Sequence, residues 1–114
     1  MKYFKIEEFA CKCCGKHPMS EDLLKRLDTA RGLAGIPFKI NSGFRCVEHN
    51  RAVGGSKNSS HIRGLAADIA CTDDRTRFIL VEALIEAGFT RVGVARGFIH
   101  VDVDPDKPSA LWFY

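Results

Sequence analysis

Residues 59–70, Ser59-Ser60-His61-Ile62-Arg63-Gly64-Leu65-Ala66-Ala67-Asp68-Ile69-Ala70, set a histidine seven positions ahead of an aspartate in an otherwise small and apolar run. That spacing is too long for adjacent turns of one helix. The segment must therefore leave the polar loop Ser56-Lys57-Asn58-Ser59-Ser60, pass Gly64 and enter a buried strand over Leu65–Cys71. An ionisable pair in such a strand needs a partner, because burying unpaired charge is costly. A metal ion bound by both side chains supplies one. The small residues Gly64, Ala66 and Ala67 are expected to let the backbone pass close to the ligand cluster.

Helical and strand patterns alternate on both sides of this strand. Ahead of it, Phe4, Ile6 and Phe9 form a short apolar arm over residues 3–9. Ser20 reads as an N-cap, and Leu23, Leu24, Leu27, Ala30 and Leu33 recur at helical spacing until Gly35 and Pro37. Residues 37–45 (PFKINSGFR) read as a strand running into a turn, and 46–55 (CVEHNRAVGG) as a short helix ended by Gly54-Gly55. After it, Asp73 or Asp74 opens a second long helix through Phe78, Ile79, Val81, Leu84 and Ile85 to Gly88. FTRVGVA (89–95) and FIHVDVD (98–104), separated by Arg96-Gly97, suit a closing hairpin. The expected class is α+β, one domain over residues 1–114, with a small mainly antiparallel sheet flanked by helices.

Strand alternation adds a third ligand. In Phe98-Ile99-His100-Val101-Asp102, His100 and Asp102 project from one face and Ile99 and Val101 from the other. His61, Asp68 and His100 then make a two-histidine, one-carboxylate set, which leaves the fourth position of Zn²⁺ open to water. That open position separates catalytic from structural zinc, and peptide or amide hydrolysis is the chemistry it suits. Asp102 is the candidate base by strand periodicity, with a carboxylate that only orients a ligand histidine as the alternative. Arg45, after the turn at Ser42-Gly43, is the candidate cation for a substrate carboxylate or a developing oxyanion.

SGFR (42–45), HNRAVGG (49–55), SSHIRGLAADI (59–69) and FIHVDVD (98–104) resemble, in sequence and in order, the zinc D-alanyl-D-alanine carboxypeptidases of the M15 family. The small phage-type and YcbK-like members are the most similar, sharing the HVD ending, a late tryptophan such as Trp112 and the FACKCCG start. The resemblance implies a Hedgehog/DD-peptidase-like fold, one zinc ion on His61, Asp68 and His100, and Arg45 on the substrate, with Ser60 beside it as a further substrate-side candidate. It implies bacterial peptidoglycan stem peptides or cross-bridges as substrates, cut by a carboxypeptidase or an endopeptidase, the phage members acting as endolysins. The positions three and two before the final histidine, where many members carry an acidic residue or a second histidine, are here Gly97 and Phe98. This departure sustains the alternative of a non-catalytic, metal-containing wall-peptide-binding or phage structural module.

Composition agrees with a globular domain, 46% hydrophobic and 27% charged residues with a formal charge of +3, and a monomer is expected. That charge is too mild to indicate nucleic acid, yet it suits an anionic wall polymer. The start has no signal-peptide core and no stretch reaches membrane length, so synthesis in the cytoplasm is expected, and the resemblance to phage-type members implies holin-type release to the wall. Five cysteines, Cys11, Cys13, Cys14, Cys46 and Cys71, are an odd count for a disulfide framework. CKCC with His17 can be read as half a zinc knuckle completed by Cys46 or Cys71. With no second ligand pair, buried thiols or one disulfide are preferred. Ser42 and Ser60 read locally as turn and cap residues, and the aromatic tail Trp112-Phe113-Tyr114 as packing onto the core, with lining of a substrate groove as the alternative.

Overall fold

Two capped helices lie on one side of a five-stranded sheet in the computed structural model, which describes residues 1–114. Ser20 Oγ accepts from the Leu23 N–H at 3.2 Å and opens α1 (Glu21–Ala34), which closes at Gly35 in the left-handed region, φ 68°. Asp73 accepts from the Thr76 N–H at 2.9 Å and opens α3 (Asp74–Glu86). Between them lies the short α2 (Val47–Ala52). The strands are β1 (Ile40–Ser42), β2 (Ala66–Ala70), β3 (Arg91–Val94), β4 (Phe98–Asp102) and β5 (Ala110–Phe113). Their order across the sheet is β1-β2-β4-β3-β5, antiparallel throughout except for the parallel β3–β5 pair.

Alternation along the strands divides the sheet into two chemically distinct faces. Ala67, Ile69, Val92, Ile99 and Val101 meet Leu23, Leu27 and Ala30 of α1 and Leu80, Ala83 and Leu84 of α3 in one buried cluster. Ile69, Ile99 and Val101 are wholly enclosed, each contributing about 1.5–3 kcal/mol from burial. The opposite face carries Asp68, His100 and Asp102. The helices therefore cover the apolar side and leave the polar side for chemistry.

The mixed α+β class and the mostly antiparallel sheet follow the sequence pattern, with four differences. The apolar arm contains a 3₁₀ turn, Ile6–Phe9, and Phe4 and Phe9 join Phe38 in the core. The aromatic tail does not simply pack onto the core: it forms the edge strand β5, because β3 offers it a parallel ladder at residues 91–94. Gly64 does not face the ligand cluster. It caps the 3₁₀ turn Ser60–Arg63 at φ 69° and abuts the Pro18 carbonyl, so its role is to let the loop before α1 pass closely. Ala66 and Ala67 likewise divide, with Ala67 in the apolar core and Ala66 opposite Asp102. All five cysteines are free thiols; Cys71 is buried as a small hydrophobe, whereas Cys13 and Cys14 are exposed. No helix is long and apolar enough to cross a membrane.

Candidate active site

A single cross-strand row organises the polar face. Ser42 on β1 pairs with Asp68 on β2, Asp68 with His100 on β4, His100 with Gly93 on β3, and Gly93 with Trp112 on β5. At its centre, His100 Nδ1 lies 2.9 Å from Asp68 Oδ1. His61 reaches the same oxygen from the 3₁₀ turn, its Nε2 lying 3.3 Å from Asp68 Oδ1. The donor atoms of His61, Asp68 and His100 all lie within 4.8 Å of one another, and all three residues are buried. The structure thus brings together the three residues read from the sequence as ligands.

Each ligand is held by a further partner. The His61 Nδ1–H donates to the Gly43 carbonyl at 2.7 Å, which leaves Nε2 as the lone-pair nitrogen facing Asp68. The His100 Nε2–H donates to Asp102 Oδ2 at 2.8 Å, which directs Nδ1 to the cluster. Arg45 Nη2 donates to Asp68 Oδ2 at 3.2 Å, and its Nε to Ser42 Oγ at 3.0 Å. Arg91 Nε donates to Asp102 Oδ1 at 2.7 Å. The carboxylates are therefore fixed on both oxygens, and the imidazoles on their outer nitrogens.

These contacts set the charges. Burial pushes Asp68 up, but hydrogen bonds from His100 and His61 outweigh it and hold the carboxyl well below its usual range. Burial pushes His100 down, and the flanking Asp102 and Asp68 carboxylates overcome this and raise it. Burial also opposes the ionised form of Asp102, yet His100, the Asp104 N–H and Arg91 keep it below the ordinary value. His100 Nδ1 faces Asp68 Oδ1 at 2.9 Å, where a cation would satisfy both groups. Two imidazole nitrogens and one carboxylate oxygen, with tautomers already fixed, are the donor set that fits Zn²⁺.

The row forms the floor of a cleft of about 430 Å³, whose lining includes Arg45, Ser60, Arg91, Lys107, Trp112 and Tyr114. Ser60 is nearly enclosed: its hydroxyl donates to Asp104 Oδ2 at 2.7 Å and accepts from Lys107 Nζ at 2.9 Å. Asp102 lines the same cleft but is engaged by His100 and Arg91. A Cβ on Gly93 would meet the Trp112 ring at 2.6 Å, so the absent side chain is what seats the indole over β3. The Trp112 ring stands 5.6 Å from that of His100, and the Arg91 guanidinium 4.8 Å over the indole. Arg91 and Lys107 are the features that sequence inspection missed, whereas the lining role of Trp112 and Tyr114 is the alternative it had set second. For Arg91 the signal was present: in Arg91-Val92-Gly93-Val94 alternation places it on the face of Gly93, away from the valines.

A family model described as Peptidase M15 matches residues 2–102, and none of the curated proteins compared matches the chain. The match spans the whole of the His61, Asp68 and His100 cluster together with Arg45 and Asp102. On that match, and with a donor set suited to zinc in the cleft, the chain belongs to the Peptidase M15 family of zinc metallopeptidases.

Proposed function

We propose that this metallopeptidase hydrolyses peptide bonds of bacterial peptidoglycan, as a carboxypeptidase or an endopeptidase on stem peptides. The observation that carries this reading is the convergence of His61, Asp68 and His100 on the floor of an open polar cleft bordered by Arg45, Arg91 and Lys107. Short wall peptides are rich in carboxylates, and cations at the cleft suit them. The mild positive charge of the chain suits the anionic wall.

Zinc, when bound, supplies Lewis acidity and draws the pKa of a water toward neutrality. The protein's part is to orient and to exclude alternatives. Arg45 holds Asp68 Oδ2, so that Oδ1 faces the two histidines. Gly43 and Asp102 fix the imidazole tautomers. Asp102 acts through His100, because both of its oxygens are engaged and its side chain is 1% exposed. Arg45, 15% exposed at its side chain, is the group through which the Asp68 end of the cleft meets a substrate carboxylate or carbonyl. Ser60 shapes the wall beside it through Asp104 and Lys107.

A second reading, a wall-peptide-binding module with the same metal centre, is favoured by one observation. Asp68 and Asp102 are the only carboxylates lining the cleft, and both are occupied. Digestion of purified peptidoglycan by the zinc-loaded protein, with products identified by mass spectrometry and His61→Ala as control, separates the two. New fragments that disappear in the control are expected. Intact wall that nevertheless retains the zinc-loaded protein would favour the binding module.

A further inference from the structure

A second group of metal-ligating side chains lies outside the histidine centre. The sulfur atoms of Cys11, Cys14 and Cys46 are all within 4.8 Å of one another, with Cys11 buried. Cys11 Sγ and Cys46 Sγ are 3.7 Å apart. Thiolates about 2.3 Å from a central tetrahedral zinc are separated by about 3.8 Å, whereas a disulfide requires about 2.05 Å. The spacing is that of shared ligands to one ion.

The local backbone supports the same conclusion. Cys11-Lys12-Cys13-Cys14 is a C-x₂-C pair on a turn closed by Gly15 N–H to Cys11 O at 2.8 Å and Cys11 N–H to Lys16 O at 2.8 Å. Gly15 makes that turn at φ 75°. The Cys46 N–H points at Cys11 Sγ and the His49 N–H at Cys46 Sγ, each at 3.4 Å. Backbone N–H groups aimed at sulfur in this way stabilise a thiolate. Cys13, an exposed free thiol on the same turn, is the further sulfur available beside them.

We propose that Cys11, Cys14 and Cys46, with Cys13 as fourth donor, form a structural zinc site distinct from the His61, Asp68 and His100 centre. Binding releases the protons of the ligating thiols. The ion joins residues 11–14 to the segment 43–46, where Phe44 N–H already donates to Phe9 O at 2.9 Å and Arg45 N–H to His61 O at 3.2 Å. That segment also contributes the Gly43 carbonyl to His61. A thiolate-bound ion at Cys46 therefore braces the wall that holds Arg45 and His61, and stands independently of which substrate the cleft takes.

Metal analysis of the reduced, dialysed full-length chain tests this. Two zinc ions per chain are expected in the unaltered protein, one in His61→Ala and one in Cys14→Ser. Cobalt-substituted His61→Ala is expected to show thiolate-to-cobalt charge-transfer absorption, which Cys14→Ser lacks. The His61→Ala protein retains every cysteine, so it decides the matter even if Cys14→Ser does not fold. One zinc in the unaltered chain with none in His61→Ala, or a cobalt spectrum of His61→Ala without thiolate bands, overturns the proposal. One zinc that persists in His61→Ala would uphold the thiolate site while removing the histidine centre.

Discussion

Asp102 Oδ2 lies 2.8 Å from His100 Nε2, at the ring nitrogen remote from Asp68. A carboxylate so placed fixes the tautomer and raises the basicity of a ligand histidine, and loss of such partners typically costs about 10–100-fold in metal affinity. Asp102→Asn is therefore expected to weaken zinc binding by that factor, measured by competition with a chelator of known affinity. Unchanged affinity beside abolished hydrolysis would instead identify Asp102 as the base.

Gly93 gives a structural test of the cleft wall. An added Cβ would strike the Trp112 ring at 2.6 Å, so Gly93→Ala must displace the indole from β3 and His100. Overpacking of this kind costs about 1–3 kcal/mol. Trp112 is the chain's one tryptophan, so its emission reports the move directly. A red-shifted emission and a lowered urea midpoint are expected; an unaltered spectrum would show that the ring does not rest on this glycine.

Metal removal should destabilise the fold as well as silence the site. A ligand that binds only the native state adds about 2.7 kcal/mol at a hundredfold excess over its Kd. Stripping zinc with a chelator is expected to lower Tm, and re-addition to restore it in a concentration-dependent way. In His61→Ala that portion of the response should vanish.

Asp104 gives the fold an acid-sensitive joint. Its side chain is enclosed and takes bonds from Ser60 and Arg63, with Lys107 Nζ 3.4 Å away. Burial pushes the carboxyl up, but Ser60 and Arg63 outweigh it and hold it well below the ordinary value. A carboxyl lowered in the folded state stabilises fully above its unfolded pKa of about 3.9, and that contribution fades as pH falls toward the folded value. With zinc stripped from both proteins, Asp104→Asn is expected to be less stable at neutral pH and to lose less stability below about pH 4. Parallel stability curves for the two would contradict this.

Period and spacing made the central chemistry legible, whereas contacts between distant segments were not. His61 and Asp68 stood out because ionisable groups in a small, apolar strand need a partner, and His100 because alternation placed it opposite Ile99 and Val101. The helix from Ser20 to Gly35 was visible from its caps and apolar spacing. β5 was hidden because Ala110–Phe113 is four residues long and owes its conformation to a parallel partner nearly twenty positions earlier in the chain. Arg91 was one of 17 basic residues until β3–β4 pairing carried it to Asp102. The half knuckle at Cys11–Cys14 was visible, but the choice between Cys46 and Cys71 to complete it was not, since Cys46 meets Cys11 only through the fold.

Diffraction from zinc-soaked crystals at the zinc absorption edge tests the catalytic centre most directly. An anomalous peak about 2.0–2.2 Å from His61 Nε2, Asp68 Oδ1 and His100 Nδ1 is expected. A fully loaded protein with no peak among these three atoms would contradict the assignment of this cleft as a zinc peptidase site.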